Sequence, residues 1–101
     1  MINFGQPRVG DKTYAAFSNA HFPNQWRHVH FQDIVPHNPS DGFPFYFWHT
    51  ATEIYEDKTS STYKMCNSTG EDPTCADQWF LLLDVASHLM YMGECMSSTC
   101  G

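Results

Sequence analysis

Apolar and polar residues alternate in short stretches near the N-terminus, and this spacing predicts strands separated by one helix. Residues 1–4 read as the end of a strand, and residues 26–31 alternate well enough for a second strand. Between them, Asp11 can cap a helix over residues 12–20, which Pro23 follows. The first third of the chain is therefore predicted to be strand, helix and strand.

The remainder of the chain is predicted to be richer in strands than in helices. Residues 45–48 and 52–55 are predicted to form a hairpin, with residues 62–65 as a third strand. Ser87 can cap a short helix that runs from His88 to Gly93. A strand–helix–strand unit with a β-rich tail predicts an α/β fold that is incomplete on its own, rather than a whole small fold.

Size and composition predict one globular domain at most, spanning residues 1–101. Hydrophobic residues make up 42% of the chain and aromatic residues 16%, which argues against a disordered chain. The 11 acidic residues outnumber the 5 basic ones, and the net charge of −6 argues against nucleic acid as a partner. No apolar run approaches the roughly 20 residues of a membrane span.

The candidate chemistry rests on one aspartate and one histidine. Asp33 directly follows the second predicted strand, where open α/β sheets place catalytic side chains. With His88, it would provide the acid and the base of a serine-hydrolase triad. In α/β-hydrolases the serine precedes both residues, in a Gly-x-Ser-x-Gly turn called the nucleophile elbow. The sequence contains no such motif, so it offers an acid and a base without a recognisable nucleophile.

A set of sequence blocks extends this hypothesis. They are FGQPRVGD at residues 4–11, DIVPHNP at residues 33–39, His49 with the following Glu53, the cysteines at 66 and 75, and HLMYMG at residues 88–93. In this order and at this spacing, the blocks resemble the C-terminal part of the fungal-type (class 3) triacylglycerol lipases. The resemblance covers nearly the whole chain and implies the C-terminal portion of an α/β-hydrolase fold.

The resemblance implies a role for each matched position. Asp33 would be the triad acid, His88 the triad base and His49 a histidine outside the triad. The serine, the oxyanion donors and the lid would come from an N-terminal portion that precedes Met1. Ser87 stands where the family often has an aspartate, which changes the charge beside the base.

The resemblance also implies a lipid ester substrate. The positions that match the border of the family's acyl cleft are apolar, as a fatty-acyl site requires. They are Val35, Val85, Ala86 and Leu89. The implied reaction is the hydrolysis of a glycerolipid ester, with no metal and no other cofactor.

The cysteines and one sequon indicate a secreted or lumenal protein, although no signal-peptide pattern opens the chain. Asn67 begins an Asn-Ser-Thr glycosylation sequon. Cys66 and Cys75 flank a turn-rich loop, and a bond between them would contribute roughly 2.5–3 kcal/mol. The resemblance implies this pairing; it leaves Cys95 and Cys100 either bonded to each other or free, because the family partner of Cys100 has no counterpart here. Four reduced thiols remain the alternative.

Two other functions stay open at this point. The first is a non-catalytic, lipase-like subunit that packs against partner chains, either the N-terminal portion or another protein. The second is a small metal-binding module, because His28 and His30 share one face of a predicted strand and His37 or Asp33 would supply a third ligand. Paired histidines on a strand are more often ordinary packing residues, so no metal is predicted.

Overall fold

A computed structural model describes the chain at residues 1–44, 46–79 and 82–96. The strands of this part are β1 (Ile2–Phe4), β2 (Gly10–Asp11), β3 (Trp26–His30), β4 (Phe47–Trp48), β5 (Thr52–Glu56), β6 (Tyr63–Met65), β7 (Met90–Tyr91) and β8 (Glu94–Cys95). The α-helix is α1 (Lys12–His21). Three 3₁₀ turns lie within these described ranges, at Val35–His37, Ala76–Gln78 and Ala86–Leu89.

The main sheet has the strand order β1-β3-β5-β6. Strand β3 runs parallel to both β1 and β5, with Trp26 opposite Ile2 on one side and Thr52 on the other. Strand β6 is antiparallel to β5. Because α1 connects the parallel strands β1 and β3, the first third of the chain is the predicted strand–helix–strand unit.

The helix prediction is confirmed, including its start. The Asp11 side chain accepts a hydrogen bond from the Tyr14 backbone N–H at 2.9 Å, which satisfies one of the donors that every helix leaves free in its first turn. The helix ends at His21, two residues before Pro23. With 10 residues, α1 is too short to span a membrane, and no helix of the described part is long and apolar enough to do so.

The predicted hairpin between residues 45–48 and 52–55 is wrong. Strand β4 pairs with β2, with Phe47 opposite Asp11, while β5 joins β3 and β6. The connection between β4 and β5 makes its polar contacts with other parts of the chain. The His49 ring bonds to a carbonyl oxygen of the turn after β3, and the Ala51 N–H donates to Asn19 of α1. Phe45 lies outside the described residues.

The predicted helix from His88 to Gly93 is also wrong. The 3₁₀ turn Ala86–Leu89 is followed at once by the β7–β8 hairpin. The two turn residues, Met92 and Gly93, have φ values of 55° and 76°, as a two-residue hairpin turn of type I′ requires. Gly93 is therefore a turn residue and not a helix C-cap.

A buried ion pair lies at the centre of the sheet. Arg27 of β3 is 1% exposed, and its guanidinium lies 3.5 Å from the carboxylate of Glu53 on β5. Arg27 also donates to the carbonyl oxygens of Thr50 and Gly70, and Glu53 accepts the Ala76 N–H. Burial lowers the pKa of Arg27 and raises that of Glu53. The pair therefore joins the sheet to the loop that follows β6.

The loop after β6 is closed by a disulfide. Cys66 and Cys75 are bonded, with Cα atoms 6.3 Å apart. The predicted partner of Cys95 is Cys100, which lies outside the described residues, so that pairing stays a prediction. A bond of the Cys66–Cys75 kind fits an oxidising compartment.

Arg8 connects three loops through one buried guanidinium. It donates to the Glu71 carboxylate at 2.5 Å and to the carbonyl oxygens of His37 and Pro39 at 2.8 and 3.0 Å. Asp77 lies 3.4 Å away. Burial raises the pKa of Glu71 to about 7, and the neighbouring Asp77 carboxylate acts in the same direction. Glu71 therefore holds its proton more firmly in the folded chain than in the unfolded chain.

The raised pKa of Glu71 predicts a pH-dependent stability. Between about pH 4.5 and pH 7 the folded state binds more protons than the unfolded state, so the free energy of unfolding falls as the pH rises. Glu71→Gln keeps an acceptor for Arg8 but cannot ionise. We expect it to reduce the loss of unfolding free energy across this pH range by about 2 kcal/mol. Urea unfolding at several pH values measures the slope. The control is Glu94→Gln on exposed β8, and equal slopes in both variants would contradict the prediction.

Candidate functional site

Asp33 is positioned by the C-terminal end of β3. The strand ends at His30, and the Asp33 N–H donates back to the His30 carbonyl oxygen at 2.9 Å. Asp33 then forms an isolated parallel bridge with Asp84. In this bridge the Ile34 N–H donates to the Asp84 carbonyl oxygen, and the Asp84 N–H donates to the Gln32 carbonyl oxygen. The side chain is completely buried. The bridge brings the segment that carries His88 against the end of β3.

Asp33 and His88 lie in direct contact. His88 Nδ1 and Asp33 Oδ2 are 2.8 Å apart, and the other carboxylate oxygen, Oδ1, accepts the Val35 N–H at 2.8 Å. A carboxylate accepts and cannot donate, so Nδ1 is the donor of this bond, and in a neutral imidazole the lone pair then lies on Nε2. The His88 side chain is 32% exposed, so the ring is open to a reacting group while its acid partner is sealed from water.

Tyr91 is a third member of the site that the sequence analysis did not identify. It is buried, and its hydroxyl donates to the same Oδ2 of Asp33 while accepting the His30 backbone N–H at 3.1 Å. Burial and the adjacent Asp33 carboxylate raise the pKa of Tyr91, so the hydroxyl keeps its proton and remains a donor. Among the described residues, three donors therefore form hydrogen bonds to the buried Asp33 carboxylate, from His88, Val35 and Tyr91. The sequence feature that could have pointed to Tyr91 is its position in the same sequence block as His88.

Gly5 provides the space in which the two catalytic candidates meet. A Cβ atom at this position would lie 2.7 Å from two atoms of the His88 ring and 2.9 Å from Asp33 Oδ2. Gly5 also has a φ of +68°, a conformation that side chains disfavour. The sequence analysis assigned no role to this glycine, because its neighbours in space are distant in the chain.

We expect Gly5→Ala to disrupt the Asp33–His88 hydrogen bond. The added methyl group overlaps the His88 ring and one oxygen of Asp33, and the Asp33 carboxylate is held in place by bonds from Val35 and Tyr91. The low-field NMR signal of the His88 Nδ1–H should shift or disappear, and the free energy of unfolding should fall by about 1–2 kcal/mol from the positive φ alone. The matched control is Gly42→Ala, where the nearest atom is 3.6 Å from the added Cβ. An unchanged signal in Gly5→Ala would contradict this geometry.

The residues predicted to border an acyl chain flank the Asp33–His88 pair. The Val35 N–H bonds to Asp33, and the Val85 carbonyl oxygen accepts the His88 N–H at 3.0 Å. Ala86 and Leu89 belong to the same 3₁₀ turn as His88. Val85 and Ala86 are exposed, whereas Val35 and Leu89 are partly buried. Their role in substrate binding stays a prediction.

Of the three histidines considered for a metal site, His30 and His37 are engaged in backbone contacts, whereas Nδ1 of His28 is buried without a hydrogen-bond partner among the described residues. Both ring nitrogens of His30 face carbonyl oxygens, those of Ser87 at 2.8 Å and Lys58 at 3.1 Å. Both ring nitrogens of His37 also face carbonyl oxygens. Neither His30 nor His37 presents a free nitrogen to a metal, so two of the ligands considered for the metal-binding alternative are already engaged.

Two further positions from the sequence analysis are His49, which has a structural role, and Asn67, which is exposed. His49 is buried and bonds through Nε2 to the Pro36 carbonyl oxygen at 2.6 Å. Burial lowers the pKa of His49 to about 2, so this histidine is a neutral packing residue. Asn67 is exposed, and its side-chain oxygen accepts the Thr69 N–H at 3.1 Å. Its glycosylation stays a prediction.

Sequence comparison identifies relatives among fungal lipases. The model of the family described as lipase (class 3) matches residues 1–43. A lipase from Rhizopus niveus is 33% identical over 101 residues, and one from Rhizomucor miehei is 34% identical over 90 residues. These alignments cover 95% and 88% of this chain, but only 25% and 24% of the relatives. The chain therefore spans about a quarter of the length of the curated relatives it matches.

Solved structures show the same relationship. Lipase II from Rhizopus niveus matches with a TM-score of 0.84 and 30% identity, covering 93% of this chain and 35% of that chain. A triacylglycerol lipase whose catalytic centre is formed by a serine protease triad matches with a TM-score of 0.81 and 32% identity, covering 92% and 35%. The described sheet and helix are thus a portion of an α/β-hydrolase fold, as the sequence predicted.

Proposed function

Because the chain is a lipase-like segment of the class 3 family, we propose that it supplies the acid and the base of a lipase catalytic triad. His88 is the base, and Asp33 is the acid that orients it. One observation carries the proposal: a fully buried carboxylate bonds at 2.8 Å to Nδ1 of a histidine whose ring is partly open to solvent. This is the arrangement by which a triad fixes the histidine tautomer.

The proposed reaction needs a serine from outside the 101 residues. His88 Nε2 would take the serine hydroxyl proton as the serine oxygen attacks the ester carbonyl carbon. His88 would then give this proton to the leaving alcohol, and the acyl group would remain on the serine. In the second step, a water molecule deprotonated by His88 would attack the acyl carbon, the bond to the serine oxygen would break to release the acid, and His88 would return the proton to the serine oxygen. Asp33 would stabilise the imidazolium in both steps. The segment that carries the serine would also carry the oxyanion donors.

The proposed substrate is a glycerolipid ester. The support is the apolar character of the residues around the Asp33–His88 pair, because an acyl chain binds to apolar surface. Val35 and Leu89 lie on two turns next to the pair, and exposed Val85 and Ala86 extend the apolar surface outward. No metal or other cofactor takes part in the proposed reaction.

The proposed partner is the segment that carries the serine. Strand β1 lies at one edge of the four-stranded sheet, and large apolar side chains next to this edge and on α1 are exposed. These include Met1, Ile2, Phe17 and Phe22. A surface of this kind is typical of an interaction site. We further propose that residues 1–101 form one partial domain, that Asn67 is glycosylated, and that the protein works in a secreted or lumenal compartment.

The same exposed surface would also serve a non-catalytic subunit, so the decisive experiment is complementation. A short-chain ester is incubated with the 101-residue chain alone, then with this chain joined to a class 3 lipase segment that carries the Gly-x-Ser-x-Gly elbow. We expect hydrolysis only from the joined protein. The control is the same protein with the elbow serine changed to alanine. Stable assembly without hydrolysis would favour the non-catalytic subunit, and hydrolysis by the chain alone would mean an unrecognised nucleophile.

A further inference from the structure

Glu56 is a buried carboxylate that the proposed reaction does not use. It is the last residue of β5, lies opposite His30 of β3 and is completely buried. One carboxylate oxygen, Oε1, accepts the Met92 backbone N–H at 2.7 Å and the Ser60 hydroxyl. The other oxygen, Oε2, has no hydrogen-bond partner among the described residues. Burying a carboxylate with an unpaired oxygen costs free energy. A structural role would explain why Glu56 is buried at this position.

Through its bond to Met92, Glu56 contacts the residue that directly follows Tyr91 in the chain. Met92 is the first residue of the β7–β8 turn and has a φ of 55°, which is unfavourable for a residue with a side chain. Tyr91 precedes it and directs its hydroxyl to Asp33, while the His30 N–H donates to the same hydroxyl. The ends of β3 and β5 thus hold the Tyr91–Met92 pair from two sides.

The opposite end of this segment is also held by buried polar groups. The Ser87 N–H donates to the Asp84 side chain at 2.6 Å, and the Ser87 carbonyl oxygen lies 2.8 Å from His30 Nδ1. His88 follows directly. The chain from Asp84 to Met92 is therefore fixed before His88 by one set of bonds and after Tyr91 by Glu56. Without Glu56, the Met92 N–H would lose its side-chain acceptor, and this end would be held through the Tyr91 hydroxyl.

We propose that Glu56 is a positioning residue for the Asp33–His88 pair. By holding the Met92 amide, it fixes the Tyr91 hydroxyl on Asp33, and the hydroxyl fixes the carboxylate that orients His88. The mechanism depends on the reach of the Glu56 oxygen and not on its charge. The inference deepens the proposed function and rests on it for its catalytic meaning.

Two conservative variants separate reach from charge. Glu56→Gln keeps an oxygen at the same distance along the side chain but carries no charge. Glu56→Asp keeps the charge but is one methylene shorter, so it withdraws the acceptor from the Met92 N–H. Val29→Ala, at a completely buried position of β3, serves as a control that lowers stability without altering a polar contact of the site.

The first readout is the low-field NMR signal of the His88 Nδ1–H in the 101-residue chain, assigned by its absence in His88→Ala. We expect this signal to shift in Glu56→Asp and to stay at its original position in Glu56→Gln and Val29→Ala. A shift in Glu56→Gln without one in Glu56→Asp would overturn the proposal, as would an unchanged signal in both. This readout requires no ester hydrolysis, so it tests the positioning role even if the proposed function fails.

The second readout is hydrolysis by the chain joined to the serine-bearing segment. We expect Glu56→Asp to lower kcat roughly tenfold with little change in KM, and Glu56→Gln to retain most of the activity. A positioning residue acts on the proton-transfer step, so a change confined to KM would contradict the role. An inactive parent protein with the expected NMR shifts would refute the proposed function and leave the positioning of His88 by Glu56 intact.

Discussion

Asp33→Asn is expected to lower kcat for ester hydrolysis about ten-thousandfold once the chain is joined to a serine-bearing segment. The asparagine amide can donate to His88 Nδ1, which would place the ring proton on Nε2. A ring protonated there cannot accept the serine proton. KM should change little, because Asp33 is completely buried and does not face the substrate.

Alanine substitutions at two histidines control for nonspecific effects in this experiment. His88→Ala should be at least as damaging as Asp33→Asn, since it removes the base itself. His21→Ala should leave kcat unchanged, because His21 is exposed at the end of α1 and its ring bonds, within the described residues, to the Phe17 carbonyl oxygen of its own helix. Equal activity in the His88 and His21 variants would show that the base has been misassigned.

Arg27→Met is expected to lower the free energy of unfolding by about 3–5 kcal/mol. The methionine can fill part of the space, but the Glu53 carboxylate would stay in the sheet interior without its partner 3.5 Å away. The carbonyl oxygens of Thr50 and Gly70 would also lose their donor. Urea unfolding of the 101-residue chain at neutral pH measures the loss.

The matched control for Arg27→Met is Lys58→Met. Lys58 is exposed, and its ammonium lies 5.9 Å from the Phe31 ring, so its replacement should change stability by about 0.5 kcal/mol or less. The double variant with Glu53→Gln should recover part of the loss, because it removes the uncompensated charge. Similar midpoints for Arg27→Met and Lys58→Met would contradict the structural role of the ion pair.

Elements set by local chemistry were predictable from the sequence. Helix α1 begins at Asp11 because the side chain of that residue caps the first turn, and strand β3 follows from alternation in residues 26–31. Strand β4 was assigned to the wrong partner because its pairing with residues 10 and 11 depends on contacts far apart in the chain. Gly93 was misread because a glycine suits both a helix end and a type I′ turn.

The candidate site was predictable in part for the same reason. Asp33 and His88 are chemically distinctive, and their order and sequence context pointed to a triad. Gly5 and Tyr91 stood in the matched sequence blocks, but neither is chemically distinctive, since glycine and tyrosine have many ordinary uses. Their roles depend on distances to Asp33 and His88 that only the folded chain defines.

The rate at which a fluorophosphonate labels the elbow serine tests the Asp33–His88 pair most directly, because it measures activation of the serine without requiring a lipid substrate. The probe is added to the serine-bearing segment joined to the wild-type chain, to the same protein with His88→Ala, and to the segment alone. We predict rapid labelling of the serine only in the first sample. Labelling that is equally fast without His88 would contradict the assignment of this chain as the acid–base part of a lipase.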